Sequence, residues 1–250
     1  MMLRLNHLTK SFGGLTAIND VSVMFQPGEI VGLIGPNGAG KTTLFNLITG
    51  VLAPTQGRVF FGERDITGLQ PHRVARLGIG RTFQQTRIFH DLKVVDNVVL
   101  ARPEVNGGLV RALSTMPSVK RAWAEEAIAN LEFLGLADRA QEYGGDLSYA
   151  EQKLVMFACL MASGATTLLL DEPTAGLDPT SHLGMIDTVT RLRRPGTTIV
   201  LIEHNLDIVR CCCDRVVFLA EGAVKAVGTT DEVERSPELR DLYFGTGGAK

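Results

Sequence analysis

The sequence predicts an α/β fold in which helices cover both faces of a mostly parallel sheet. Four apolar runs have the length and flanks of buried strands, and they are continuous rather than alternating, which is typical of such sheets. These runs are residues 29–35, 165–172, 197–204 and 215–222. Helical patterns at residues 41–49 and 179–193 lie between them. We therefore expect a core whose active site lies at the strand ends.

Two further regions depart from this parallel pattern. Residues 2–27 and 57–66 resemble short alternating strands, which predict an antiparallel β flank. Residues 86–163 predict mainly helix, with an amphipathic stretch at 123–135 and a polar insert at 102–119. We therefore expect one domain with an inserted α-helical lobe. The expected bounds are 1–250 for the domain, 1–85 and 164–250 for its core, and 86–163 for the lobe.

Composition and charge exclude several classes of protein. Hydrophobic residues form 45% of the 250 positions, enough for a substantial core. A net charge of −2 argues against a nucleic-acid partner, which would call for a basic surface. No apolar run approaches the roughly 20 residues that span a bilayer, and the N-terminus lacks a signal-peptide core. We expect a cytoplasmic protein. The four cysteines lack the paired spacing of metal ligands and receive no role: Cys159, Cys211, Cys212 and Cys213.

A glycine-rich stretch, GPNGAGKTT at residues 35–43, has the spacing of a phosphate-binding loop. Such a loop points its backbone N–H groups at phosphates, and Cβ atoms would block that approach. Lys41 would place a charge on the β- and γ-phosphates, and the Thr42 hydroxyl would reach Mg²⁺. The helix that follows favours an anion at its N-terminus. The predicted nucleotide-binding residues are Gly35, Pro36, Asn37, Gly38, Ala39, Gly40, Lys41, Thr42 and Thr43.

Two carboxylates end the apolar run at residues 165–172. A carboxylate at Asp171 can hold Mg²⁺ through water, and one at Glu172 can polarise an attacking water. Two acids at a strand end can also be a simple turn. Their presence in the same chain as the glycine-rich loop favours the chemical interpretation.

Five motifs occur in the order glycine-rich loop, Gln84 in RTFQQ, LSYAEQ at 147–152, LLLDEPTAGLD at 168–178, and His204 in LIEHN. Together, these motifs resemble the ATPase subunits of ABC transporters. Other nucleotide-binding proteins share the first motif but not the whole series. The resemblance covers nearly the entire chain and implies ATP and Mg²⁺ as cofactors.

The resemblance also implies the roles of individual residues. Glu172 would be the general base, and His204 would contact the γ-phosphate and hold the attacking water. Gln84 would sense Mg²⁺ and the γ-phosphate, so that the metal is expected near Thr42, Gln84 and Asp171.

Two residues outside the catalytic motifs also gain roles from the resemblance. Asp178 would run along a dimer interface. Phe12 would stack on adenine through its π face, although a core position in the first strands is the alternative.

Within the family, residues 78–101 and 239–245 look most like the importers of branched-chain amino acids, whose close relatives carry urea or short amides. The implied function is ATP hydrolysis that drives uptake through separate polytopic membrane subunits and, indirectly, a periplasmic solute-binding protein. The chain would lie on the inner face of the cell membrane, with the membrane subunits docked near residues 84–89. Export or lipid extraction, and a soluble ATPase switch without transport, remain alternatives.

The LSYAEQ segment departs from the usual LSGGQ and LSYGQ forms of the family. Ser148 is kept, and the resemblance implies that it faces ATP bound to the opposite subunit. Ala150 replaces a glycine, and Glu151 places a negative charge near a triphosphate unless it turns outward or pairs, with Lys153 as one candidate partner. The change is either harmless or the mark of a heterodimer with unequal sites.

Overall fold

The computed structural model describes residues 1–83, 86–105 and 117–236. Gln84, most of the polar insert and the C-terminal stretch that resembles the importers lie outside these ranges. Within them, a four-stranded antiparallel sheet has the order β2-β1-β4-β5. Its strands are β1 (Leu3–Phe12), β2 (Leu15–Phe25), β4 (Gln56–Phe61) and β5 (Arg64–Asp65). This sheet confirms the antiparallel flank.

A second sheet has six strands in the order β10-β9-β3-β8-β7-β6. It contains β3 (Ile30–Ile34), β6 (Ile79–Arg81), β7 (Thr167–Asp171), β8 (Thr198–Ile202), β9 (Arg215–Ala220) and β10 (Ala223–Gly228). All neighbours pair in parallel except β9 and β10, which are antiparallel. The four predicted strands are confirmed. Strands β6 and β10 were missed, because β6 has only three residues and β10 is not a continuous apolar run.

The helices of the described ranges lie mostly where the periodicity predicts them. They are α1 (Lys41–Ile48), α2 (Pro71–Arg76), α3 (Val94–Leu100), α4 (Pro117–Phe133), α5 (Tyr149–Ala162), α6 (Pro179–Leu192), α7 (Leu206–Cys212) and α8 (Thr230–Arg235). Helix α4 begins six residues before the predicted stretch at 123–135 and includes residues 117–119. The predicted polar insert at 102–119 is therefore too long at its C-terminal end. Its buried residues, Ala127 and Leu131, lie one turn apart and pack toward the core.

The six-stranded sheet separates two hydrophobic cores. Leu169 of β7 faces the core shared with the antiparallel sheet and α1. Its neighbours Leu168 and Leu170 face the opposite core, which contains residues of α3, α4 and α5. Since successive side chains of a strand point to opposite faces, both faces of β7 must be apolar, and this explains the continuous run in the sequence.

The order of the parallel strands places three connections side by side. Strand β8 pairs with β3 on one side and with β7 on the other. The glycine-rich loop follows β3, Glu172 follows β7, and His204 comes two residues after the end of β8. All three therefore lie at the carboxyl edge of one sheet, where α/β proteins bind ligands. In the part of the chain that the structure describes, no helix has the length and apolar character needed to cross a membrane.

Candidate functional site

The glycine-rich loop has a backbone that only glycine adopts without strain. Gly35 and Gly40 have φ of 148° and 103°. A Cβ atom at Gly35 would lie 1.9 Å from the carbonyl oxygen of Leu219, and one at Gly40 would lie 2.6 Å from that of Ala17. Contacts within the protein itself thus require these two glycines, in addition to the need to leave room for a phosphate.

Lys41 begins helix α1 directly after the loop. Its buried side chain donates hydrogen bonds from Nζ to the carbonyl oxygens of Gly35, at 2.7 Å, and Pro36, at 2.9 Å. Burial lowers the pKa of Lys41, and the nearby charges of Glu172 and Asp171 oppose that effect. The ammonium group is therefore held inside the curve of the loop and is close enough to the carboxylates of Asp171 and Glu172 to be affected by their charges. Thr42 is exposed and Thr43 is half-buried at the same helix end.

Asp171 ends β7 and forms a buried ion pair with Arg81 of β6. Arg81 Nη2 lies 2.8 Å from Asp171 Oδ2, and both side chains are about 95% buried, with exposures of 5% and 6%. Arg81 also donates from Nη1 to Asn46 Oδ1 of helix α1, at 2.6 Å. Arg81 thus joins the carboxylate at the end of β7 to the helix that begins at the glycine-rich loop. The sequence interpretation missed it, because RTFQQ was considered only for its Gln84.

Glu172 and His204 contact each other at the same edge of the sheet. His204 Nε2 lies 2.7 Å from Glu172 Oε1. Glu172 has a left-handed backbone, with φ of 49°, and its N–H donates to the carbonyl oxygen of Ile202 at 3.0 Å. Of the predicted catalytic residues, the structure brings these two together. Gln84 lies outside the described residues.

The LSYAEQ segment opens helix α5 with a capping box. Ser148 is the N-cap residue, and its N–H and Oγ–H both donate to Glu151 Oε2, at 2.8 and 2.7 Å. Arg139 Nε lies 3.4 Å from Glu151 Oε1. These hydrogen bonds from Ser148, together with the charge of Arg139, lower the pKa of Glu151 although partial burial opposes them.

Lys153 is not the partner of Glu151, and that prediction is wrong. The carboxylate of Glu151 instead accepts hydrogen bonds from Ser148 in its own helix turn and lies 3.4 Å from Arg139 Nε. Lys153 lies on the buried side of α5, where its Nζ contacts carbonyl oxygens after β7. Ala150 is half-buried, and the hypothesis of unequal sites stays a prediction.

The remaining predicted residues lie on the surface. Phe12 is 45% exposed, so a position in the core is excluded. Lys10 Nζ lies 5.0 Å from the centre of its ring. Asp178 is exposed, and its side chain accepts a hydrogen bond from the N–H of Ser181, at 3.1 Å, at the start of α6.

The residues at this edge fit Mg²⁺ bound together with a nucleotide. Among the described residues, no group of three or more His, Cys, Asp or Glu side chains could hold a metal by itself. Mg²⁺ typically takes one or two protein ligands and completes its shell with phosphate oxygens and water. Asp171 and the exposed Thr42 hydroxyl are donors of that kind.

Fold and site together define an ABC-type ATPase, and comparison with known proteins agrees. A family model described as "ABC transporter" matches residues 18–175, more than half of the chain. The chain therefore belongs to the ABC transporter family, and the resemblance inferred from the motif order is confirmed.

Two curated relatives match almost the whole chain. The high-affinity branched-chain amino acid transport ATP-binding protein LivG of Salmonella typhimurium is 38% identical over 249 residues, 98% of each chain. The lipopolysaccharide export system ATP-binding protein LptB of Acidithiobacillus ferridurans is 34% identical, over 98% of this chain and 97% of that protein.

Two solved structures share the fold over most of its length. The ADP conformation of MJ1267, an ATP-binding cassette of an ABC transporter, has a TM-score of 0.86 and 31% identity, over 98% of both chains. The dimeric structure of MJ0796, a bacterial ABC transporter cassette, has a TM-score of 0.77 and 25% identity, over 91% of this chain and 98% of that chain.

Proposed function

We propose that this chain hydrolyses ATP with Glu172 as the general base. His204 would orient the carboxylate of Glu172 and contact the γ-phosphate. The observation that carries the proposal is the 2.7 Å contact between His204 Nε2 and Glu172 Oε1. The contact lies at the edge of the sheet that also presents the glycine-rich loop. A base of this kind takes the proton of the attacking water, and the histidine keeps its carboxylate in place.

ATP and Mg²⁺ would be held by the residues around that contact. The backbone N–H groups of residues 35–43 and the Lys41 ammonium would receive the phosphates. Thr42 and Asp171 would hold Mg²⁺, with Gln84 as the third predicted contact. The exposed ring of Phe12 is available for stacking on adenine.

A second ATPase subunit would complete each site. The dimeric structure of MJ0796 supports this arrangement, since it shares the fold over most of the chain. We propose that Ser148 and its helix terminus face ATP on the opposite subunit and that Asp178 lies along the interface. Both residues are exposed here, as such contacts require.

The transported solute would be a branched-chain amino acid or a similar small molecule. LivG, a branched-chain amino acid transport protein that matches over 98% of both chains, supports this solute, and its identity exceeds that of the lipopolysaccharide export protein LptB. Polytopic membrane subunits would provide the solute path and would hold the chain at the inner face of the membrane. We propose that the helical lobe, at residues 86–163, couples the core to them.

The surface where the proposed lobe meets the core would receive a helix of the membrane subunit. Phe89 is 62% exposed. A largely apolar cavity of about 320 Å³ lies nearby, lined in part by Val51, Phe83, Arg87 and Met156. An exposed aromatic ring and an apolar groove are typical of a site for a partner helix.

Two variants test the chemistry. Glu172→Gln should retain ATP binding but lose hydrolysis by at least about 10²-fold, the scale of a lost general base. Lys41→Ala should weaken ATP binding itself, because it removes a charge contact to the phosphates. The measurements are nucleotide affinity by calorimetry and phosphate release. Normal turnover in Glu172→Gln would contradict the assigned role.

Transport direction requires the assembled complex. Co-purification with polytopic membrane subunits and a periplasmic binding protein, followed by uptake of labelled leucine into vesicles, would support import. Recovery with a lipid-extraction complex, and no uptake, would favour export.

A further inference from the structure

The four residues after β7 are held from two sides by buried charged groups. This segment, residues 172–175, begins with Glu172 in the left-handed conformation, at φ of 49°. A non-glycine residue in that region is strained and persists only where the surroundings impose it. The contacts of the segment identify what imposes it.

The first group is Lys153, on helix α5. Its side chain is 5% exposed, and Nζ donates to the carbonyl oxygens of Ala175, Pro173 and Glu172, at 2.6, 2.9 and 3.3 Å. An ammonium group has three donors, so this set of acceptors matches its capacity. Burial lowers the pKa of Lys153, while the charges of Glu203 and Glu172 oppose the shift.

The second group is Glu203, between β8 and His204. Its side chain is 4% exposed. Glu203 Oε1 accepts from the N–H and the hydroxyl of Thr174, and Oε2 accepts from the N–H of His204 at 3.2 Å. A buried carboxylate with several donors is satisfied, and it fixes the backbone positions of those donors.

We propose that Lys153 and Glu203 form a clamp that positions Glu172 against His204. Lys153 holds the carbonyl groups of residues 172, 173 and 175, and Glu203 ties Thr174 to the backbone of His204. Lys153 lies on the helix that Ser148 caps, so a displacement of α5 is passed to the carboxylate of Glu172. Both are positioning residues, since their contacts are to backbone groups and a hydroxyl. The consequence for hydrolysis rests on the proposed role of Glu172.

Hydrogen exchange in the nucleotide-free full chain tests the clamp without reference to activity. Lys153→Met should raise amide exchange in the peptide that covers residues 172–178 at least about tenfold, since opening of that segment no longer breaks three hydrogen bonds. Lys120→Met, which removes an exposed lysine of α4, is the matched control and should leave the peptide unchanged. Equal exchange in both variants would overturn the proposal.

Steady-state kinetics then separate positioning from nucleotide binding. Lys153→Met should lower kcat by about 10²-fold, the effect of misplacing a reacting group by about 1 Å, with KM for ATP within about threefold. Lys153→Arg should recover part of the loss, because a cation still reaches the carbonyl groups. Loss of ATP affinity with unchanged kcat would contradict the positioning role.

A milder variant keeps the proposal testable if Lys153→Met does not fold. Thr174→Val removes the hydroxyl that donates a hydrogen bond to Glu203, and Thr174→Ser retains that hydroxyl. The valine variant should raise exchange in residues 172–178 and lower kcat about tenfold, and the serine variant should do neither. Identical behaviour of the two variants would overturn the clamp. If Glu172→Gln retained turnover, the assigned base would be wrong, whereas the exchange data would still decide the clamp.

Discussion

Arg81 and Asp171 form a buried ion pair between neighbouring parallel strands, with Arg81 Nη2 2.8 Å from Asp171 Oδ2. Ninety positions separate them along the chain. The pair occupies the carboxylate that we expect to hold Mg²⁺, and it also reaches helix α1 through Asn46. Removing one partner of such a pair leaves an uncompensated buried charge.

We predict that Arg81→Met lowers the free energy of unfolding of the nucleotide-free protein by about 3–5 kcal/mol. Addition of Asp171→Asn should recover part of this loss, because the unpaired charge is removed with it. Urea unfolding in EDTA measures the free energy of unfolding of the single and the double variant. The control is Arg121→Met, from the exposed pair of Arg121 and Glu125, which should change stability by less than about 1 kcal/mol. Equal losses of stability in Arg81→Met and Arg121→Met would show that the buried pair stabilises the fold no more than the exposed pair does.

The capping box at the start of α5 predicts a stability effect that depends on pH. Glu151→Ala should destabilise the protein by about 1 kcal/mol at pH 7, since two donors of Ser148 lose their acceptor. The folded-state pKa of Glu151 is lowered, so its stabilisation is present above the unfolded value and is lost as pH falls through the folded value. The difference between wild type and Glu151→Ala should therefore shrink below about pH 4.5. Denaturant unfolding from pH 7 to about pH 3 checks the sign, and a difference that grows on acidification would refute it.

The docking surface is best tested at Phe89. Ile88 is half-buried and packs against the core of the helical region, so a charge there would also disturb folding. Phe89→Glu should abolish solute uptake in the assembled transporter while basal ATPase activity of the isolated chain stays within about twofold, because Phe89 is largely exposed. The control is Val227→Glu on the edge strand β10, another exposed apolar residue. Normal uptake with Phe89→Glu would place the docking surface elsewhere.

The cysteines should differ in reactivity. Burial raises the pKa of Cys159 to about 12, so its thiol stays protonated at pH 8 and reacts slowly. Cys211 is exposed on α7 and should be alkylated first. Peptide mass spectrometry after brief maleimide treatment measures both sites. The variant Cys211→Ser should lose the fast phase, and early modification of Cys159 would contradict its raised pKa.

Local patterns in the sequence predicted much of the molecule. The four apolar runs, the helix after the glycine-rich loop and the antiparallel flank all appear in the structure, because periodicity and motif spacing act over a few residues. The order of the motifs was sufficient to identify the family. The role of Phe12 and the expected bounds of the lobe stay predictions, and Gln84 lies outside the described residues.

Residue types and motif spacing indicated most of the side chains that could do chemistry, and tertiary packing established which of them meet. The pairs of Glu172 with His204 and of Asp171 with Arg81 depend on the strand order β8-β7-β6. No local pattern specifies that order, since it results from packing of both sheet faces at once. The same packing turns Lys153 inward to the loop after β7, although the sequence offered it as a candidate partner of Glu151. Burial, which removes water as a competing partner, holds Arg81 on Asp171 and Lys153 on its carbonyl groups, whereas strand order alone brings the more exposed His204 to Glu172.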